Sequence, residues 1–185
     1  MLTSLPRLLL LGVLFLVVAA GLLWMSGGRD PVPESCREGS RALEAQDYNA
    51  AIDSFLACID TGELEDDLLA DVYYALGGAS FAKGKYFQAV QDYSAAIEIN
   101  PEHAWAYNNR CWTYGLMRRP EDALEDCNEA LRRLPNQPEV LDSRALAYWQ
   151  LGEIEKAKED LARARQRSTS LPLPEDRIKE FEAMF

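Results

Sequence analysis

The sequence predicts an all-α protein built from repeated helical hairpins, and three observations support this prediction. Small residues recur every 34 positions, as at Gly77, Cys111 and Ala145. The amphipathic segments between them are joined by short turns that contain glycine, such as the turn at Gly84. A proline follows the second segment of a unit, as at Pro101, where a helix has to end. A period of this length indicates a solenoid of stacked hairpins.

The first 28 residues are predicted to form a separate membrane anchor, 1–28. Residues 8–25 carry no charge, and as a helix they would span roughly 27 Å, about the hydrocarbon thickness of a bilayer. We therefore expect a retained transmembrane helix over about 8–25, and a cleaved secretory signal ending near Ala20 is the alternative. Arg7 favours a cytoplasmic N-terminus. The prediction is a single-pass membrane protein whose soluble domain is periplasmic or otherwise extracytoplasmic.

A short linker at 29–34 is predicted to lead into four hairpin units. Twelve key positions of these units are all Gly, Ala or Cys, and small side chains there allow two helices to approach closely. Rings such as Phe55 and Tyr93 then fill the space between the helices. The repeats are expected over 35–171, in units 32–65, 70–103, 104–137 and 138–171.

A capping helix is predicted for the remaining residues, 172–185. Two prolines interrupt the chain before it, and Ile178, Phe181 and Phe185 then lie on one face of a short helix. Such a helix would cover the open end of the fourth unit.

The pattern resembles the tetratricopeptide repeat (TPR) family. The resemblance implies a TPR superhelix of four helix-turn-helix repeats with a C-terminal capping helix, here preceded by the transmembrane helix. The residues that carry the resemblance best belong to the second unit: Tyr73, Leu76, Gly77, Gly84, Lys85, Tyr86, Ala89, Tyr93, Ala96 and Pro101.

The resemblance also implies a concave groove lined by the first helix of each unit, where a partner would bind. Amides there can hold a peptide backbone, since each can donate and accept a hydrogen bond, and aromatic rings can bury the side chains of the peptide. The alternative for Trp105 and Trp112 is packing against the neighbouring repeat. The predicted groove residues are Tyr74, Phe81, Trp105, Asn108, Asn109, Trp112, Asp142, Leu146 and Trp149.

One TPR subgroup grips the C-terminal carboxylate of chaperones with five Lys, Asn and Arg side chains. Only Asn109 of this chain matches that clamp, and the other four positions fall on Tyr74, Gly78, Glu139 and Ser143. Because Glu139 would repel a carboxylate, the sequence predicts no binding of a chaperone tail at this site.

The four cysteines show no CxxC spacing, so we predict no zinc site. The acidic stretch at 60–71 lacks the spacing of an EF-hand, so no other metal site is predicted, and no cofactor is predicted either. Cys111 and Cys127 are level across one hairpin, and a disulfide between them is expected in an oxidising compartment. The alternative is two free thiols that serve as small packing residues. Cys36 is expected to face the groove, which makes a bridge from Cys36 to Cys58 less favourable.

The net charge of −11 and the lack of a basic cluster exclude nucleic acid as a partner. The one histidine, His103, lies between repeats, and no hydrolase or phosphate-loop motif is present, so no enzyme is predicted. The sequence predicts a membrane-anchored TPR adaptor or assembly factor that binds a protein or peptide, including a membrane-bound one. Two alternatives are a TPR receptor or chaperone-like protein for polypeptide targeting at a membrane, and a self-associating structural scaffold.

Overall fold

The computed structural model of the protein describes residues 32–168 and 171–185. These residues fold into nine α-helices with no strand among them, so the all-α prediction is confirmed. The helices are α1 (Glu34–Glu44), α2 (Tyr48–Ile59), α3 (Asp66–Ala82), α4 (Tyr86–Ile99), α5 (Ala104–Leu116), α6 (Pro120–Arg133), α7 (Pro138–Gln150), α8 (Ile154–Arg167) and α9 (Pro174–Met184).

The helices are distributed between two compact units, Met1–Pro101 and Glu102–Phe185. In the first unit, α1 packs against α2, α2 against α3, and α3 against α4. In the second unit, α5 packs against α6 and α7 against α8, while α7 also contacts both helices of the preceding hairpin. Helix α9 packs against α7 and α8.

Each hairpin turns through one residue with a positive φ. This residue is glycine in two hairpins, with φ of 72° at Gly84 and 77° at Gly152. The corresponding residues of the other two hairpins are Gln46 and Arg118, with φ of 58° and 59°. A side chain in this left-handed region costs conformational energy that glycine avoids. Arg118 therefore occupies a position that favours glycine.

Close contact between paired helices explains the small residues of the repeat. A Cβ atom on Gly39 would lie 2.6 Å from the ring of Phe55, and a Cβ atom on Gly77 would lie 2.6 Å from the ring of Tyr93. Both rings are buried. A larger side chain at either glycine would push the helices apart, as the small-residue pattern predicts.

The cysteines are joined in pairs across two hairpins. Cys111 and Cys127 connect α5 to α6 with a Cα–Cα distance of 5.4 Å, and Cys36 and Cys58 connect α1 to α2 at 5.1 Å. Both distances suit a disulfide. The expectation that Cys36 faces the groove is wrong, because the structure buries this residue in the core of the first hairpin.

Two ion pairs join the paired helices of the second unit. The guanidinium of Arg110 on α5 donates two hydrogen bonds of 2.7 Å to the carboxylate of Asp126 on α6. The guanidinium of Arg144 on α7 binds Asp160 on α8 in the same way, at 2.6 and 2.8 Å. Both carboxylates are buried, so each pair satisfies a charge that has left water.

The predicted localisation as a single-pass membrane protein with an extracytoplasmic domain is contradicted. Among the residues that the structure describes, no helix is long and apolar enough to cross a bilayer. The longest of them, α3, has 17 residues and begins with Asp66 and Asp67. The segment predicted as an anchor, about 8–25, lies outside the described residues.

Candidate protein-interaction site

In the first unit, the two predicted groove residues belong to ring contacts within the α3–α4 hairpin. The ring centroids of Tyr74 and Tyr93 lie 5.9 Å apart, and those of Phe81 and Tyr86 lie 5.4 Å apart. Tyr74 is buried and Phe81 is half-buried. Of the two, only Phe81 therefore retains surface that a partner could touch.

In the second unit, hydrogen bonds fix α7 beside α5. The hydroxyl of Ser143 shares its proton between Oδ1 of Asn108, at 3.0 Å, and the carbonyl oxygen of Glu139, at 2.9 Å. Nε2 of Gln150 donates to the carbonyl oxygen of Gly115 at 2.7 Å. In both contacts between the two helices the partners are 35 residues apart, about one repeat. They therefore set the register of consecutive first helices.

The two neighbouring asparagines of α5 have different roles. Asn108 is buried between α5 and α7, and its Nδ2 donates to Oδ1 of Asn109 at 3.2 Å. Asn109 is half-buried. Because Asn108 is itself held by Ser143, it fixes the orientation of the Asn109 amide. The structure thus places Asn108 in support of Asn109, which lies closer to the surface.

Trp105 stands one helical turn before Asn109, so both side chains share a face of α5. Trp105 is half-buried, and part of its ring is accessible. Trp112, two turns after Trp105, is different, since only 4% of its surface is exposed. Its Nε1 is buried, and no residue in the described part of the chain accepts a hydrogen bond from it.

Helix α9 lies against several of the predicted groove residues. Arg177 of α9 is 6% exposed and donates to both carboxylate oxygens of Asp142, at 2.8 and 2.7 Å. It also donates to Glu180 at 2.6 Å, and its guanidinium carbon lies 5.8 Å from the ring centroid of Trp112. Burial alone would lower the pKa of Arg177, but the bonds to Asp142 and Glu180 outweigh burial and raise it. Arg177 thus remains a cation.

The end of α9 continues this contact through aromatic rings. The ring of Trp149 on α7 lies 6.0 Å from that of Phe181 and 5.9 Å from that of Phe185, which it stacks against at 21°. The guanidinium of Arg118 lies over the ring of Phe185, with its central carbon 3.9 Å from the ring centroid. Phe185 remains 41% exposed despite these contacts.

We call the surface formed by Trp112, Arg118, Asp142 and Trp149 the α9-binding face. Three of these residues were predicted to contact a partner, and in this structure they contact α9. Leu146, which was also predicted to line the groove, is fully buried. It packs closely against Gly115, where an added Cβ atom would lie 2.8 Å from Cδ2 of Leu146.

The sequence interpretation did not single out Arg118 or Arg177, and it treated Ser143 only as a mismatch to the chaperone clamp. A signal for Arg177 was present in the repeat. Asn108 and Ser143 are 35 residues apart, and so are Asp142 and Arg177. The same spacing, counted from Asp142 into the capping helix, would have indicated Arg177 as its partner.

His103 stabilises the beginning of α5. Nδ1 of His103 accepts a hydrogen bond of 3.1 Å from the backbone N–H of Ala106 and so caps α5. Among the described residues, no group of three or more His, Cys, Asp or Glu side chains could hold a metal ion.

Family models match the repeats that form these hairpins. A TPR repeat model matches residues 77–115, and tetratricopeptide repeat models match 104–137 and 138–164. The chain therefore contains tetratricopeptide repeats.

This chain is similar in sequence to parts of longer proteins. It is 32% identical over 120 residues to sperm-associated antigen 1 of Mus musculus, covering 65% of this chain and 13% of that protein. It is 30% identical over 105 residues to heat shock protein STI1 of Saccharomyces cerevisiae, covering 56% of this chain and 18% of that protein. The chain thus spans less than a fifth of these two relatives.

Among solved structures, the first TPR of Spaghetti (RPAP3) bound to the HSP90 peptide SRMEEVD has a TM-score of 0.59 to this chain. The two are 22% identical, and the match covers 63% of this chain and 93% of that one. This likeness supports the fold. Repeats of this family are typically non-enzymatic modules, and the chain is a TPR protein–protein interaction module.

Proposed function

We propose that the protein acts as an adaptor or assembly factor whose second unit binds a segment of a partner protein on α5. The observation that carries this proposal is the half-buried amide of Asn109, whose orientation is fixed through Asn108 and Ser143. An amide already held in one orientation loses little entropy when it binds, so it contributes more to affinity than a mobile side chain would.

Asn109 and Trp105 would act together on the partner. The amide of Asn109 would hydrogen-bond the backbone of the partner segment, which requires no particular sequence. The accessible part of the Trp105 ring would bury an apolar side chain of that segment. This division of roles suits an internal stretch of the partner.

An acidic chain terminus is a poor candidate for this partner segment. The peptide SRMEEVD, which the RPAP3 domain binds, carries carboxylates at its end. On this chain the corresponding surface contains Glu139, whose carboxylate accepts a hydrogen bond of 2.6 Å from Gln137. The negative charge of Glu139 would oppose the carboxylates of such a peptide.

Crosslinking and affinity capture with the full chain test the proposal. We expect the wild type to capture a defined partner and the Asn109→Ala/Trp105→Ala variant to lose at least nine-tenths of it, roughly the 1.4 kcal/mol that corresponds to tenfold. The matched control is Arg132→Ala, which alters an exposed residue of the second helix α6 and should leave capture unchanged.

The opposite results are equally informative. Undiminished capture by the double variant would show that the partner binds another surface. Binding of SRMEEVD that is lost on Asn109→Ala would show that the site takes acidic tails after all.

A further inference from the structure

The contact between α9 and its binding face defines a pattern of side chains. Arg177 and Phe181 lie on one face of α9, and Phe185, the residue after its end, continues their spacing of four residues. Arg177 binds Asp142, and both phenyl rings contact Trp149. In this structure the face therefore receives a cation first and aromatic rings four and eight residues later.

Arg118 shows that this contact uses a residue that the backbone does not favour. It has φ of 59° at the turn position where two of the other three hairpins have glycine, Gly84 and Gly152. Glycine would relieve the backbone, but it would remove the guanidinium that lies over Phe185 and donates to the carbonyl oxygen of Phe185 at 3.4 Å.

Helix α9 is an incomplete occupant of its face. It leaves Nε1 of Trp112 buried with no acceptor among the described residues, and Arg177, which lies over that ring, has only donors to offer. A helix of 11 residues is too short to be stable in water on its own, so α9 depends on this contact.

We propose that the α9-binding face is a docking surface for a helix of a partner protein, and that α9 occupies it until such a helix replaces it. The partner helix carries Arg or Lys followed by aromatic residues four and eight positions later, together with an acceptor for the indole of Trp112. This inference rests on the proposed function, because it gives the second unit a further surface that binds a partner protein.

Covalent attachment gives α9 an advantage over any competing helix. A tethered segment acts at an effective concentration on the order of millimolar, so a free helix with the same side chains binds the wild-type chain only weakly. Loosening α9 while its face stays intact removes this competition. The face then binds the same helix supplied in trans.

A fluorescent synthetic peptide of residues 174–185 is the probe, and full-length chains are the receptors. The release variant is Arg177→Gln/Phe185→Ala, which weakens α9 and leaves its face unchanged. We expect the release variant to bind the peptide at least tenfold more tightly than the wild type does. The matched control, Lys179→Gln, alters an exposed residue of α9 and should behave as the wild type.

Two further changes test the face itself. Asp142→Asn or Arg118→Gly, each added to the release variant, should remove most of the tenfold gain. Arg118→Gly is the safer of the two for folding, because glycine already occupies this turn position in two hairpins. A peptide in which Arg177 is replaced by Glu should not bind.

Hydrogen exchange of the α9 amides makes each result decisive. The proposal is overturned if α9 loses protection in the release variant and the peptide still does not bind, or if α9 stays protected. It is also overturned if the wild-type chain dimerises by exchanging α9, because the occupant would then be a second copy. Failure of the Asn109 experiment would not alter the peptide result, so the two hypotheses fail separately.

Discussion

An aspartate is buried at the same repeat position in the α3–α4 hairpin of the first unit and in both hairpins of the second unit, but its partners differ between the units. Asp126 and Asp160 are each paired with an arginine 16 residues earlier in the chain. Asp92 occupies the corresponding position on α4, where the residue 16 positions earlier is Leu76. Its carboxylate instead accepts from Ser80 at 3.0 Å and from Gln88 at 3.1 Å.

The repeat thus specifies a buried acid but not its counter-charge. The arginines neutralise Asp126 and Asp160, whereas Ser80 and Gln88 are neutral donors. Burial raises the pKa of Asp92 from its ordinary value of 3.8, and the hydrogen bonds from Gln88 and Ser80 only oppose that rise. Burial also raises the pKa of Asp126, where the hydrogen bonds and the positive charge of Arg110 oppose the rise.

The largest effect is expected from giving the second unit the arrangement of the first. Arg110→Leu places at α5 the residue found at position 76 and leaves Asp126 buried without its cation. We expect the α5–α6 hairpin to lose about 3–5 kcal/mol of unfolding free energy, the typical effect of breaking a buried ion pair. Hydrogen exchange of the α6 amides measures this loss.

Arg132→Leu is the control for Arg110→Leu, because Arg132 pairs with Glu129 on the exposed surface of the same hairpin. That change should cost less than about 1 kcal/mol. A similar, small loss in both variants would mean that the Arg110–Asp126 pair does not stabilise the hairpin.

The second prediction concerns the cysteines, which are joined in one hairpin of each unit. Cys111→Ala/Cys127→Ala opens a loop with a sequence separation of 16 residues, for which we expect a loss of about 3 kcal/mol in the α5–α6 hairpin. Alanine is a suitable replacement, since Ala145 occupies the position of Cys111 in the next hairpin. Hydrogen exchange of oxidised protein measures the difference.

Peptide mapping without reductant is the companion measurement. It should find Cys111 linked to Cys127, and Cys36 linked to Cys58. Four free thiols in oxidised protein, with no loss of protection in the alanine variant, would show that these cysteines are packing residues.

Much of the fold could be predicted from the sequence because close packing constrains residue size at a fixed period. The contacts of Gly39 with Phe55 and of Gly77 with Tyr93 are direct consequences of that constraint. The burial of Cys36 was missed because the period indicates a helix face without showing what covers it. Ion-pair partners 16 residues apart were also missed, because polar residues vary more freely among the repeats.

The candidate site was less predictable for the same reason. Asn108, Asp142 and Trp149 do lie on first helices, as the family resemblance implies. The sequence did not show that Asn108 binds Ser143, or that α9 would engage Asp142 and Trp149. Such contacts depend on how consecutive helices pack, and a single amphipathic face does not specify its neighbour.

The smallest change in stability is expected from the ionisation of Asp92, the buried acid that accepts hydrogen bonds from the neutral donors Ser80 and Gln88. The pKa of Asp92 is raised in the folded state, so folding favours the protonated carboxyl. Its contribution to stability is thus fully present below the ordinary value of 3.8 and is lost as the pH rises through the folded pKa.

Asp92→Asn, which cannot ionise, should remove this loss from the α3–α4 hairpin. Hydrogen exchange of the α4 amides between about pH 4 and 7, corrected for intrinsic rates, measures the slope of the unfolding free energy of this hairpin against pH. Glu98→Gln, an exposed change on the same helix, should keep the wild-type slope, and an unchanged slope in Asp92→Asn would contradict the prediction.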